Sequence, residues 1–422
     1  MLEIKFVREN VEAVKAGALK KGFKNVESID EIINLDDERR SIQKQLDDSL
    51  AEMNVLSKTI GELFKEGKAQ EANEAKAKTA DVKERSAGLK VEHDNIAEKL
   101  NDLLVQIPNM PHESVPNGLA ETDNEIIKEV GVMPQLAADA KPHWDLAEKY
   151  HLIDFEKGVK IAGAGFPVYM GKGARLQRAL IAFFLDEAGK AGYTEVQPPV
   201  LANKDSAYAT GQLPDKEGQM YYVTADDLYL IPTSEVPLTN LYRSQVVAAA
   251  DLPISITGHS QCFRREAGSY GKEVRGLNRL HQFDKVEIVR IERPENSYNA
   301  LKGMLDHVEG LLDKLGLPYR ILRLCGGDLT FASALTYDFE VYSAAQKMWL
   351  EVSSCSNFET FQSNRLKLRV KDGKDKFLAH TLNGSAIALP RIMASLIENN
   401  QTENGIRIPE ALIPYTGFDL IS

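Results

Sequence analysis

At 422 residues the chain is too long for one simple hydrophobic core and predicts two or three domains. Hydrophobic and charged contents of 43% and 27% are ordinary for a globular protein in water, no stretch reaches the length of a membrane span, and the start MLEIKFVRENVEAVKAG lacks the apolar run of a signal peptide. A formal net charge of −11 means that any nucleic-acid partner must be met by a local positive field, because the molecule as a whole repels phosphate.

From about Ile32 to Leu103 there is no proline, and Glu, Lys, Ala and Leu dominate. Two ladders with alternating steps of three and four run Ile32, Leu35, Arg39, Ile42, Leu46, Ser49, Met53, Leu56, Ile60, Leu63 and then Ala75, Thr79, Val82, Ser86, Leu89, His93, Ile96, Leu100, Leu103. That spacing is the seam of a coiled coil. Pairing Leu46 with Leu89, Met53 with Val82 and Leu35 with Leu100 makes each pair of numbers add to 135, which predicts an antiparallel hairpin with its tip near Gly67. The same register brings Glu52 near Arg85 and Glu38 near Lys99, and sets Ser49 against Ser86 as a weak polar layer. Two helices of roughly 35 residues give an arm on the order of 50 Å long.

An arm of that length does not fit inside a compact core and reads as reaching for a partner. Its basic residues concentrate on the second helix, where Lys76, Lys83 and Lys90 form a stripe of period seven suited to a phosphate backbone. The same stripe also reads as a salt-bridged flank of the seam, and both readings stand open. The arm, about 30–104, ends at IPNMPHESVPNG, whose prolines and asparagines predict a boundary between domains 1–108 and 109–422. Glu121 to Trp144 reads as strand and loop without evident chemistry.

Beyond the boundary, GKGARLQRALIAFFLDEAGKAGYTEVQPPVL reads as a helix, a glycine stop and a strand ending in Pro198-Pro199. MYYV, LYLIPTSE, PISITGHSQCF, FDKVEIVRI and MWLEVSSCSNFE follow as β-like segments, and KGMLDHVEGLLDKLG is a well-patterned helix. Strands in succession between a few helices predict an α+β domain on an antiparallel sheet. No GxxxxGK[ST] or GxGxxG stands in the right setting, so neither a P-loop nor a Rossmann site is supported. KLRVKDGKDK at 367–376 reads as a solvated hairpin. The 3 cysteines, Cys262, Cys325 and Cys355, are widely separated and show no metal-ligand spacing; they read as reduced thiols of a cytoplasmic protein, with no zinc expected.

The most informative stretch is RREAGSYGKEVRGLNRLHQFDKVE, from Arg264 to Glu287. Arg264, Arg265, Lys272, Arg275 and Arg279 cluster on a glycine-bearing loop between extended segments, and arginine forks fit phosphate oxygens bidentately. Phe283 and Glu287 share one face of the strand that follows, so a stacking ring and a carboxylate for an ammonium project together. Apolar strands on both sides argue against a merely solvated basic hairpin. His281 reads as a structural hydrogen-bonding residue, and Cys262 and Cys355 as small core residues.

This stretch resembles motif 2 of class II aminoacyl-tRNA synthetases. LNGSAIALPRIMASLIENNQ resembles their motif 3, and the helix and strand ending at Pro199 resemble motif 1. With IPTSEVPLTN, TYDFEVYSAAQKMWLEVSSCSNFETFQSNR and the N-terminal hairpin, the chain resembles the seryl-tRNA synthetase family of the bacterial type from end to end. The resemblance implies a class II antiparallel sheet with helices beside a coiled-coil, tRNA-binding N-terminal domain. It implies activation of L-serine by ATP to seryl-adenylate, then transfer to the terminal ribose of tRNA(Ser) and also tRNA(Sec), in a homodimer with motif 1 at its interface.

The resemblance also assigns residues. Arg264 holds the α-phosphate and the serine carboxylate, Glu266 fixes the base, Phe283 stacks on adenine, and Arg391 reaches the γ-phosphate from behind it. Arg279 is a further phosphate-side cation, and Arg265, Leu280, Val352 and Ser353 complete the ATP site. Glu351 and Ser354 match the family's Mg2+ ligands. Thr233, Ser234, Glu235 and Glu287, with Arg264, match the amino-acid contacts, and Asn383 and Ser385 read the side-chain hydroxyl. Arg265 departs from the family, which carries a small residue there. A catalytically silent RNA-binding paralogue would be expected to lose part of this set, and a class II ligase for a carrier protein to lack the arm.

Overall fold

The structure is a computed structural model and describes residues 1–215, 217–266 and 275–422; Lys272 lies outside the described residues. Contacts divide the chain into two compact units, Met1–Pro108 and Asn109–Ser422.

In the first unit, short helices α1 (Ile4–Glu9) and α2 (Val11–Lys20) precede the long pair α3 (Ser28–Lys65) and α4 (Ala69–Leu104). The chain reverses at Glu66-Gly67-Lys68, and Gly67 has φ +77°, a backbone conformation that favours glycine. Ile32, Ile42 and Ser49 on α3 and Ala75, Val82, Ser86, Ile96 and Leu100 on α4 are buried at the expected seam positions. Nearer the tip, Met53, Leu56, Ile60 and Leu63 stay half-buried, because two helices alone shield only part of each seam side chain. Glu52 pairs with Arg85 across the hairpin, whereas Glu38 and Lys99 make no ion pair among the described residues. At the base, Asp36 is buried although the ladder skips it. Arg8 of α1, at 3.0 Å, and Arg39, at 2.7 Å, neutralise its carboxylate.

The second unit is built on one eight-stranded sheet. Its strands are β1 (Glu125–Val130), β2 (Thr194–Glu195), β3 (Ile254–Phe263), β4 (Gln282–Glu292), β5 (Tyr319–Arg323), β6 (Leu335–Ser343), β7 (Met348–Asn357) and β8 (His380–Ala388). They lie in the order β1-β5-β6-β7-β8-β4-β3-β2. Neighbours are antiparallel except for β2, which runs parallel to β3 at the edge.

Alternation along the strands gives the sheet two different faces. Val286 and Ile288 of β4, Phe339 and Val341 of β6, Cys355 of β7, and Leu382 and Ala386 of β8 enter the main hydrophobic core. There they meet α5 (Gly171–Lys190), through Leu176, Leu180, Phe183 and Phe184, and α7 (Ser297–Leu315), through Leu301, Met304, Val308 and Leu312. A short helix, α6 (Glu235–Asn240), lies between them in sequence, and α8 (Leu389–Asn399) adds Ile392, Met393, Leu396 and Ile397. Intervening positions (Phe283, Lys285, Glu287, Ser354, Ser356, Asn383 and Ser385) line a cavity instead. The basic segment near residue 370 forms the expected hairpin, Arg369–Asp372 against Asp375–Phe377. Cys262, Cys325 and Cys355 are all free and buried.

Candidate active site

The cavity has a volume of about 540 Å³. Thr233 and Glu235 reach it from the start of α6, Arg264 and Glu266 from the chain leaving β3, Arg279 from the chain entering β4, and Phe283 from β4 itself. Glu351 and Ser354 come from β7, Asn383 and Ser385 from β8, and Arg391 from the first turn of α8.

One group of contacts is buried and acidic. Glu287 is fully buried, and β4–β8 pairing sets it opposite Ser385. Asn383 Nδ2 donates to Glu287 Oε1 at 3.0 Å, and the Lys285 ammonium lies 2.6 Å from Glu287 Oε2. Lys285 also donates to Thr233 Oγ1 at 2.7 Å. Glu235, 6% exposed, accepts from Gln362 Nε2 at 2.6 Å, and Gln362 is itself oriented by Thr381 Oγ1 at 2.8 Å. Burial first, and then the charge of Glu287, push the Glu235 carboxyl up to about 7.

A second group is basic and more open. The Arg264 guanidinium sits 5.2 Å from the centroid of the Phe283 ring, and its Nε donates to Pro232 O at 3.2 Å. Arg279 pairs with Glu266 at 3.0 Å; Glu266 holds φ +41°, a conformation uncommon outside glycine. Arg391 donates through Nε to Asn278 O at 3.0 Å and through Nη1 to Glu351 O at 2.8 Å, and Nη1 lies 3.3 Å from the Glu351 carboxylate. Glu351 and Ser354 present hard oxygen donors to this part of the cavity. Behind Ser354, across the β6–β7 pairing, the Asp338 carboxyl is raised well above its usual range by burial and by Glu351, and its buried Oδ1 has no hydrogen-bond partner among the described residues. This oxygen-rich donor set fits a hard divalent cation.

Leu280, Val352 and Ser353 also line the cavity, and Ser353 Oγ donates to Ser385 O. Two of the expected residues do not reach it. Ser234 is fully buried and bonds Ser260 Oγ at 2.5 Å. Arg265 is exposed, with its backbone N–H bound to Gln219 O at 2.8 Å, and is not among the lining residues. His281 Nδ1 shares a 2.6 Å hydrogen bond with Tyr221 Oη, the structural role expected for it. Lys76, Lys83 and Lys90 are exposed on α4, with Lys76 5.5 Å from the Phe64 ring and Lys90 3.1 Å from Asp94.

Sequence reasoning passed over Lys285, although it stands between Phe283 and Glu287 on the same strand face and period two alone puts it in the site. It also passed over Asn278 and Gln362, which come into contact only through the tertiary fold, and over His143. His143 is fully buried, with Nδ1 2.7 Å from Glu398 Oε1 and Nε2 accepting the Leu277 N–H at 2.8 Å.

Comparison with known proteins agrees with this geometry. The seryl-tRNA synthetase N-terminal domain matches residues 1–111, and the class II tRNA synthetase core domain (G, H, P, S and T) matches residues 221–400. A serine–tRNA ligase of Salinibacter ruber is 51% identical, with the alignment covering 99% of this chain and 98% of that protein. The crystal structure of seryl-tRNA synthetase from Pyrococcus horikoshii complexed with ATP superposes with a TM-score of 0.93 at 35% identity, covering 100% of this chain and 99% of that one. The cytoplasmic serine–tRNA ligase from Naegleria fowleri in complex with AMP superposes with a TM-score of 0.88 at 28% identity, covering 100% and 99%. With both its domains matched and full-length identity of this order, the chain belongs to the seryl-tRNA synthetase family.

Proposed function

We propose that the chain is a serine–tRNA ligase that activates L-serine with ATP to seryl-adenylate and pyrophosphate, then transfers serine to the 3′-terminal ribose of tRNA(Ser) and tRNA(Sec). The observation that carries this reading is the union, in one cavity, of a buried acidic pocket around Glu235, Glu287 and Asn383 with a cluster of cations around an aromatic ring. A zwitterionic amino acid with a small hydroxyl suits the first, and a purine nucleotide with its phosphates suits the second.

The roles follow from the chemistry of adenylation, which asks the protein mainly for alignment and fixed charge. Arg264 stands between the two groups of contacts, where it holds the serine carboxylate against the α-phosphate. Phe283 offers its ring to adenine, Glu266 fixes the base, and Arg391 and Arg279 neutralise the outer phosphates. Glu351 and Ser354 would hold Mg2+, which would supply positive charge to neutralise the phosphates. Glu235 and Glu287 form the ammonium subsite, with Thr233 in its wall; Asn383 and Ser385 meet the hydroxyl. Buried groups that need a hydroxyl partner reject alanine, because they would be left unpaired. The chain works as a cytoplasmic homodimer, with the segment from α5 to Pro199 at the interface and unit Met1–Pro108 presenting α3 and α4 to tRNA.

Serine-dependent exchange of pyrophosphate into ATP by the purified full chain tests this reading. Exchange stimulated by serine and not by alanine is expected. Its absence overturns the enzyme reading in favour of a silent RNA-binding relative.

A further inference from the structure

Lys285 is a buried cation inside the amino-acid pocket, and none of the roles derived above uses it. It is 6% exposed, with its ammonium 2.6 Å from Glu287 Oε2 and 2.7 Å from Thr233 Oγ1. A threonine hydroxyl has one proton and two acceptor lone pairs. Lys285 takes one lone pair, the backbone N–H of Glu235 takes the other at 3.2 Å, and the proton points to Glu287 Oε2 at 3.4 Å. The hydroxyl of Thr233 is thereby fully committed within the protein and has nothing left for an incoming ammonium.

The carboxylates keep capacity. Asn383 occupies one lone pair of Glu287 Oε1 at 3.0 Å, and Gln362 occupies one of Glu235 Oε1 at 2.6 Å. Among the described residues no donor reaches the second oxygen of Glu235.

We propose that Lys285 is a specificity-determining positioning residue, which engages Thr233 and Glu287 so that the substrate ammonium is read by the carboxylates of Glu235 and Glu287 and not by the Thr233 hydroxyl. The proposal rests on reading the cavity as a serine site. Charge balance points the same way. With Glu235 and Glu287 both ionised, two buried carboxylates and one buried cation leave a single negative charge, which one substrate ammonium neutralises while Arg264 meets the substrate carboxylate. Without Lys285, the ammonium enters a pocket with one carboxylate in excess, and a buried unpaired charge is strongly unfavourable.

The test is pyrophosphate exchange by the full chain and its variants. Lys285→Met is expected to raise the KM for serine at least about tenfold while the KM for ATP stays within about twofold of the parent value. Thr233→Val is expected to raise the serine KM less, and the double variant to be no worse than Lys285→Met alone, because Thr233 acts through Lys285. If the two effects multiply, Thr233 contacts serine independently and the proposal fails. It fails equally if Lys285→Met leaves the serine KM unchanged, or raises both KM values together as a general loss of packing would. Should Lys285→Met not fold, Lys285→Gln keeps a donor to Thr233 without the charge, and the same serine-selective rise is required of it. Exchange by the parent chain separates the two claims: without it the serine reading falls, whereas serine exchange insensitive to position 285 overturns this proposal alone.

Discussion

At Glu235 the pocket carries its own pH dependence, since burial and the charge of Glu287 push this carboxyl up to about 7. An ammonium pairs with the ionised form, so kcat/KM for serine in the exchange reaction is expected to fall as pH drops through about 7. Glu235→Gln should remove that acid limb and raise the serine KM at least about tenfold. The same shift bears on stability. A carboxyl raised in the folded state favours folding at low pH and loses that contribution as pH rises from the ordinary carboxylate range through about 7. If serine pairs with the ionised form it restores that contribution, so the rise in Tm on adding saturating serine is expected to be larger at pH near 8 than near 6. Equal rises would remove Glu235 from the ammonium subsite. At Arg391 the two nitrogens used, Nε to Asn278 O and Nη1 to Glu351, form a fork that lysine does not reproduce. Arg391→Lys should lower kcat/KM for ATP at least about tenfold with little change in the serine KM, read from exchange kinetics at varied ATP. Much of this site is legible in the sequence, because Phe283, Lys285 and Glu287 share a face by strand period alone. The hydrogen bond that Gln362 donates and the one that Asn278 accepts are not, because their partners lie 127 and 113 positions away.

Between elements, α8 and the chain entering β4 are joined through one buried carboxylate. Glu398 accepts from the His143 backbone N–H at 2.8 Å, from His143 Nδ1 at 2.7 Å, from Gln346 Nε2 at 3.0 Å and from Ser343 Oγ. His143 passes the constraint to Leu277, and Gln346 passes it to Asn278, whose carbonyl holds Arg391. Glu398→Ala leaves several buried donors unpaired, and it is expected to cost about 3–5 kcal/mol in denaturant unfolding and to raise the KM for ATP. Gly276 permits the contact: it has φ +69°, and a Cβ there would stand 2.2 Å from His143 Nε2. Gly67 presents the opposite case. A Cβ at its φ of +77° meets nothing within 4 Å, so Gly67→Ala should cost only about 1 kcal/mol of backbone strain, seen as a small shift in thermal melting. The hairpin around Gly67 is legible because heptads are local, and the register drawn from them puts Ser49 and Ser86 in the seam where both are buried. The sheet order is not, since β4 pairs with β8 at a separation of 96 positions between Glu287 and Asn383, and pairing at that separation leaves no local pattern. Asp36 escapes the local pattern for a related reason: of its two neutralising partners, Arg39 lies on the same helix but Arg8 is 28 positions away on α1.

For the whole molecule, a net charge of −11 has to coexist with an RNA partner, and the place to look for the local positive field is α4. If α3 and α4 serve tRNA and not adenylation, replacing residues 38–99 by a short Gly-Ser linker should leave serine-dependent exchange within about twofold and abolish charging of tRNA(Ser). Charging at normal efficiency without the arm would remove it from the tRNA interface. The stripe itself is then divisible. Lys76 is engaged with the Phe64 ring and Lys90 with Asp94, so each must leave a partner to meet a phosphate, whereas Lys83 is exposed with no ion pair among the described residues. Each phosphate contact contributes about 0.7–0.9 to the slope of log affinity against log salt. Lys83→Ala should therefore raise the KM for tRNA and flatten that slope by nearly one contact, and Lys90→Ala by less. Were the stripe only a flank of the seam, the three substitutions would lower the melting temperature of the arm and leave both the tRNA KM and its salt dependence where they were.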